Sequence, residues 1–372
     1  MIIMATSKIG KTSSSNFTSR VLFACINILC ILGLIGLATT HAKAAKQNCS
    51  AVSQLACDTA HNLGTGINMG NMLEAPNEGD WGVRLDPSYV DLVADKFKTV
   101  RIPIRWSNHA SADEQAIIDE FFFRRVERVV DDFLSKGMYV IINMHHYQQL
   151  NGAKLNRKEF EVDDSVVQAR FINMWKQISH RFKNKSSKLI FEILNEPHKK
   201  LEGKAWYNLM NKAMFEIRKE NPNRIVMIAP SGNRVPSLGQ LAGVLNKDYD
   251  KNIILAVHNY DPVQFTFQGI SWMPHFPKGV TCCDSQQKNI IQHKLNTIVK
   301  WNAKFGVPVH LGEFGSVMHG DIKSRVNYTK EVIDLLNRNS IGWTYWEFAS
   351  TFGIYSPKKK QWNPLMQTLT NN

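Results

Sequence analysis

Phe191-Glu192-Ile193-Leu194-Asn195-Glu196-Pro197-His198, FEILNEPH, runs an apolar strand straight into an amide, a carboxylate and a proline. A glutamate in such a place is costly unless something pairs or uses it. The same pattern recurs along the chain. Short runs rich in Val and Ile fall at 65–68, 99–104, 139–145, 189–195, 224–229, 253–258, 308–313 and 341–348. They lack clean alternation, as parallel strands covered on both faces should. Helical patterns lie between them. From Gln115 to Lys136 the apolar residues Ile118, Phe121, Phe122, Val126, Val129, Val130 and Phe133 hold helix spacing, with Gly137 placed to close it. Residues 165–182, 204–219, 287–305 and 322–337 read the same way, with a shorter segment at 235–245. Asp86-Pro87 reads as a cap followed by proline at the first helical position. Eight strands alternating with helices predict an α/β fold, a single-domain (β/α)8 TIM barrel. An open doubly wound sheet is the alternative, but no Gly-rich phosphate fingerprint follows the first strand.

The rest of the chain sets bounds. Residues 1–44 carry Lys8, Lys11, Arg20 and Lys43, then an apolar run at 21–38, then Ala42-Lys43-Ala44. That order reads as a secretory signal or, if uncleaved, a membrane anchor. The expected domains are therefore a leader at 1–44 and a catalytic barrel at 45–372, with a secreted or extracytoplasmic location. The chain has 372 residues and a formal charge of +13, of which the leader holds four, leaving +9. Its Lys and Arg are interspersed with acids and no recognition motif accompanies them, which argues against a nucleic-acid partner. Cys49, Cys57, Cys282 and Cys283 would be exported. Three disulfide pairings are possible, with a 49–57 bridge preferred.

Barrels gather their chemistry at the C-terminal ends of the strands. Those ends carry Asn68 and Asn71, Arg101, His145-His146, Asn195-Glu196, His258-Asn259-Tyr260, Glu313 and Trp346-Glu347. Glu196 and Glu313 would lie across the barrel mouth from one another. If surroundings raise the pKa of Glu196 it can act as an acid; if Arg101 and Tyr260 reach Glu313 it can stay an anion. Two carboxyls flanking a bond are what glycoside hydrolysis requires. His145 and His146 are adjacent on a strand and point to opposite sides, so they make a poor chelating pair and no metal or cofactor is expected. Trp81, Trp272 and Trp346 fall on rim loops or strand ends, where a sugar face can stack.

IFEILNEPH and HLGEFG, with GINMGN, EAPNEGDWGV, VRIPIRW, INMHH, HNYDP and YWEF in the same order, resemble glycoside hydrolase family 5, the retaining cellulase-type barrels. The match runs from Gly64 to the C-terminal helix. The resemblance implies Glu196 as acid/base and Glu313 as nucleophile, with Arg101 and Tyr260 beside the nucleophile and Asn195 on the substrate 2-hydroxyl. It implies that His145, His258 and Trp346 line the subsite of the cleaved sugar. Asn71, Glu74, His146, Trp272 and Glu347 would be further substrate contacts. The chain departs from the pattern at its vicinal Cys282-Cys283 and its long leader. The expectation is an exported, monomeric, retaining endo-β-1,4-glucanase acting on a β-linked polysaccharide. A mannan- or glucomannan-cleaving relative and a non-catalytic polysaccharide-binding protein are the alternatives.

Overall fold

The structure is a computed structural model that describes residues 45–155, 158–233, 238, 241 and 250–370. Eight strands close into a parallel barrel: β1 Thr65–Asn68, β2 Thr99–Ile102, β3 Tyr139–Asn143, β4 Leu189–Glu192, β5 Val226–Ile228, β6 Ile253–His258, β7 Val309–Glu313 and β8 Gly342–Tyr345. They are hydrogen-bonded in sequence order, and β8 returns to β1. The expected (β/α)8 barrel is the observed fold. The strands read as unbroken apolar runs because both faces are covered: every residue of β2 and β4 is buried.

Inside the barrel, Ile141, Ile190, Ile225, Met227, Ile254 and Ala256 pack with Ala56, Ala60 and Leu63 of the helix Gln54–Leu63. That helix precedes β1 and plugs the end where the strands begin. Ser53 caps it by accepting from the Ala56 N–H at 3.1 Å. The outer faces of the strands meet the surrounding helices in one large apolar cluster.

The helices Val167–Phe182, Lys204–Glu220, Ser285–Phe305 and Ile322–Arg338 lie within two residues of their expected bounds. Local capping explains the sharp starts. Asp284 and Gln287 form a reciprocal capping box, and Gly306 at φ 69° ends that helix. Two starts differ from expectation. The helix expected from Gln115 begins at Glu120, because Asp119 caps it and the preceding residues pair instead in an Ala110–Ile118 bridge. Asp86 holds Ser88 in a turn, and the helix begins only at Tyr89. The expected segment at 235–245 lies outside the described residues, apart from the buried Leu238 and Leu241, and so does the leader.

The structure pairs Cys49 with Cys57 and Cys282 with Cys283. Among the described residues, no helix is long and apolar enough to cross a membrane.

Candidate active site

Arg101 organises the open end of the barrel. It points inward from β2 and is fully buried. Its Nε and Nη2 donate to the two oxygens of Glu192 at 2.6 and 2.8 Å. Nη1 donates to Asn68 Oδ1 at 2.9 Å and to Glu313 Oε1 at 2.8 Å. Nη2 also donates to Asn195 Oδ1 at 2.8 Å. A guanidinium has five N–H donors in a rigid fork, and here each has an acceptor. Burial opposes the charge, but Glu192 and Glu313 outweigh it and hold the arginine more firmly protonated than in water.

Glu313 ends β7 and is 5% exposed. Its second oxygen accepts from the Tyr260 hydroxyl at 2.8 Å. His258 faces it because β6 and β7 slip register between Val257 and His258, which sets His258 opposite Glu313. Gly312 makes room: a β-carbon there would stand 3.0 Å from His258 Nε2. His258 Nδ1 lies 2.8 Å from Glu196 Oε1 and 3.5 Å from Glu313 Oε2. One histidine thus spans the two carboxylates expected to do the chemistry.

Glu196 sits beyond the end of β4, in the left-handed region at φ 45°. That conformation costs a non-glycine residue about 1–3 kcal/mol, and its surroundings must impose it. The Asn195 N–H is fixed to Met144 O, the His198 ring meets Glu196 O, and Pro197 stops the strand. The result is a side chain that leaves the strand and enters the cleft with 40% of its surface open.

The protonation pattern reverses the expectation. Burial would raise Glu196, but the hydrogen bond and charge of His258, with Arg101 behind, outweigh it and hold the carboxyl below its usual range. Burial pushes Glu313 up, aided by the charge of Glu196, against His258, Arg101 and Tyr260. His258 is raised despite burial, by Glu313 and Glu196. Three coupled groups share few protons, and the titration belongs to the trio rather than to any one member. Of the three, His258 is the group whose protonated form both of its neighbours favour.

The other residues singled out in the sequence divide into two groups. His145 stacks on Trp346 with ring centroids 5.4 Å apart and planes at 8°, and together they line the cleft beside the trio. Burial, with His146 and Arg101, keeps His145 neutral. His146 turns edge-on to Trp81, and burial pushes it down to about 3. Trp272 stands 62% exposed on the connection after β6. Glu74 and Glu347 are different: both are fully buried. Glu74 accepts from the N–H groups of Asn71 and Met72. Glu347 accepts from Ala349, Ser350 and Phe352. Neither presents surface to a sugar; each ties down a rim loop, Glu74 the one carrying Asn71. One member of the site, Glu192, was missed in the sequence, and Asn68 was placed at the strand ends without a role. Strand alternation held the clue to Glu192, since it lies two residues from the inward Ile190 and must share its face.

Comparison with known proteins identifies the family of the barrel. A family model described as cellulase (glycosyl hydrolase family 5) matches residues 64–351. Endoglucanase H of Acetivibrio thermocellus is 34% identical over 286 residues, covering 77% of this chain. The chain spans only 29% of that relative's length. A solved hyperthermophilic endo-β-1,4-glucanase in complex with substrate superposes with a TM-score of 0.78 at 37% identity, covering 85% of this chain and 99% of that one. Cel5A of Thermotoga maritima, solved with mannotriose, gives a TM-score of 0.78 at 35% identity over 84% of this chain and 99% of the other.

Proposed function

The chain belongs to the cellulases of glycosyl hydrolase family 5, and from that premise we propose that it is an exported, retaining endo-β-1,4-glucanase. One observation carries the retaining mechanism. Glu196, His258 and Glu313 each offer a ligand-type atom, and these atoms all lie within 4.8 Å of one another. Retaining glycosidases hold their carboxyls about 5–5.5 Å apart, and inverting ones stand at about 6.5 Å or more. The close pair favours double displacement.

In that mechanism Glu313 attacks the anomeric carbon. Arg101 and the Tyr260 hydroxyl hold its two oxygens and fix the angle of attack. Glu196 protonates the departing oxygen. Its proton comes across the 2.8 Å contact with His258: a sugar filling the cleft strips water from the half-open Glu196, favours its neutral form and draws the proton over. Once Glu313 is an ester its charge is gone. Glu196 then takes a proton from water, whose oxygen bonds to the anomeric carbon as the bond to Glu313 breaks, freeing Glu313 as a carboxylate and the sugar with its original configuration. Arg101 binds Asn195 Oδ1 and so fixes the amide's rotation, leaving Nδ2 as the donor end for a substrate hydroxyl.

Reducing-sugar release from carboxymethyl cellulose, mixed-linkage β-glucan, mannan and xylan tests the substrate. The glucans should be cleaved fastest, with the β-anomer formed first by NMR. An α-anomer as first product would exclude retention. Mannan is the second reading, favoured by the similarity to the Thermotoga maritima enzyme solved with mannotriose. Export rests on the basic-apolar order of the leader and is tested by N-terminal sequencing of protein from the culture medium.

A further inference from the structure

The trio that handles the proton also has the composition of a metal-ligand set. His258 contributes an imidazole nitrogen, and Glu196 and Glu313 each contribute a carboxylate oxygen, all within 4.8 Å of one another. We propose that the substrate-free cleft binds a divalent transition-metal ion of the zinc class at these three side chains, and that the bound ion excludes the sugar and blocks turnover.

The geometry fits. Zinc bonds to nitrogen and oxygen are about 2.0–2.2 Å, so tetrahedral ligand atoms stand about 3.3–3.6 Å apart. His258 Nδ1 and Glu313 Oε2 are already 3.5 Å apart. The 2.8 Å separation of His258 and Glu196 must open by about half an ångström. Glu196, the partly open member of the trio, would make that shift, while Arg101 and Tyr260 hold Glu313 in place. The fourth position faces the cleft, the arrangement of a zinc site with an open coordination place.

The charge fits as well. Metal binding displaces the proton of His258, and Glu192, Glu196 and Glu313 then bring three negative charges against the single positive charge of Arg101. A divalent cation cancels the excess of two. Arg101 does not defeat this, because Glu192 already engages it through both oxygens. Three ligands, one of them nitrogen, suit zinc, copper or cobalt; magnesium and calcium want six or more oxygens and should bind poorly. The other cluster of metal-ligating residues among those described, Cys49, Cys57 and His61, has both sulfurs tied in a disulfide and offers no thiolate.

Calorimetric titration of the full chain with ZnCl2, without any sugar, decides the matter independently of the enzymatic reading. The wild type should show a saturable micromolar site, and MgCl2 should show none. Glu313→Gln and His258→Ala should each weaken zinc binding by at least about tenfold. Thermal melts report whether either variant has lost its fold; if His258→Ala has, Glu313→Gln alone decides. Equal zinc affinity in the wild type and a folded variant overturns the site. In activity assays zinc inhibition should be competitive with β-glucan and reversed by EDTA. Inhibition that excess substrate does not relieve overturns the exclusion of sugar. If the wild type cleaves no glycan, the enzymatic reading fails and the calorimetry still stands.

Discussion

Two pairs of glutamates stand at the open end of this barrel, and their surroundings suit them to opposite uses. Glu196 and Glu313 are served by side chains: a histidine between them, and an arginine and a tyrosine on the second. Glu74 and Glu347 are served by backbone N–H groups of their own loops. Side-chain partners carry protons and charge that can be exchanged during a reaction. Backbone N–H groups only hold. The pKa values follow: burial, countered by backbone hydrogen bonds and for Glu347 also by Arg325, raises Glu74 to about 8 and Glu347 to about 7. The identity of a glutamate's partners, more than its depth, separates a reacting carboxylate from an anchoring one.

The contrast can be broken most severely at Glu313, the proposed nucleophile. Glu313→Gln should lower turnover by roughly ten-thousand-fold or more while leaving the fold intact; reducing-sugar assays beside circular dichroism check both halves. Glu192→Gln comes next. It removes one of the two carboxylates paired with Arg101 and leaves Glu313 as the other, so stability should fall by up to about 3–5 kcal/mol in denaturant titrations, and misplacement of Glu313 should cost turnover about a hundredfold. A variant with wild-type kcat would remove Glu192 from the site's support. Tyr260→Phe deletes one hydrogen bond to a charged oxygen, worth about 1.5–3 kcal/mol, so kcat should drop by about ten- to a hundredfold with KM little changed.

The smallest effect belongs to the anchoring pair and concerns stability. Glu347 and Glu74 are raised in the folded state from 4.5 to about 7 and about 8. The folded protein therefore holds more protons than the unfolded chain between those values. Their contribution is fully present below about pH 4.5 and is lost as pH rises through about 7 and 8. Glu347→Gln should flatten the fall in melting temperature from pH 5 to pH 9 and leave activity within a few-fold. An unchanged slope would show that the raised carboxyl does not contribute, and a large rise in KM would return Glu347 to the substrate.

The barrel could be read from the sequence because its strands are apolar on both faces and its helices keep strict spacing. That Glu196 and Glu313 share one rim could be read because each ends a strand run, and strand ends gather at one rim in this fold. What could not be read depends on contacts across the barrel. Glu192 looked like one polar interruption in an apolar run; only closure of the barrel puts it on Arg101, 91 residues away in sequence. Glu74 and Glu347 sit in the stretches EAPNEGDWGV and YWEF that carry the family resemblance, yet both side chains are fully buried. The protonation order was also out of reach, because it turns on a register slip that sets His258 between the carboxylates.

The second glycine of HLGEFG has a further consequence. Gly315 lies where any β-carbon would overlap the carbonyl oxygen of Trp346, and the Trp346 N–H bonds to Phe314 O at 2.8 Å. The loop after the nucleophile is therefore seated directly against the strand whose tryptophan stacks on His145. In a saturation library scored by growth on polysaccharide, the position would go as silent as Glu313 itself. A hydrogen atom that touches no sugar would then be as irreplaceable as the carboxylate that does.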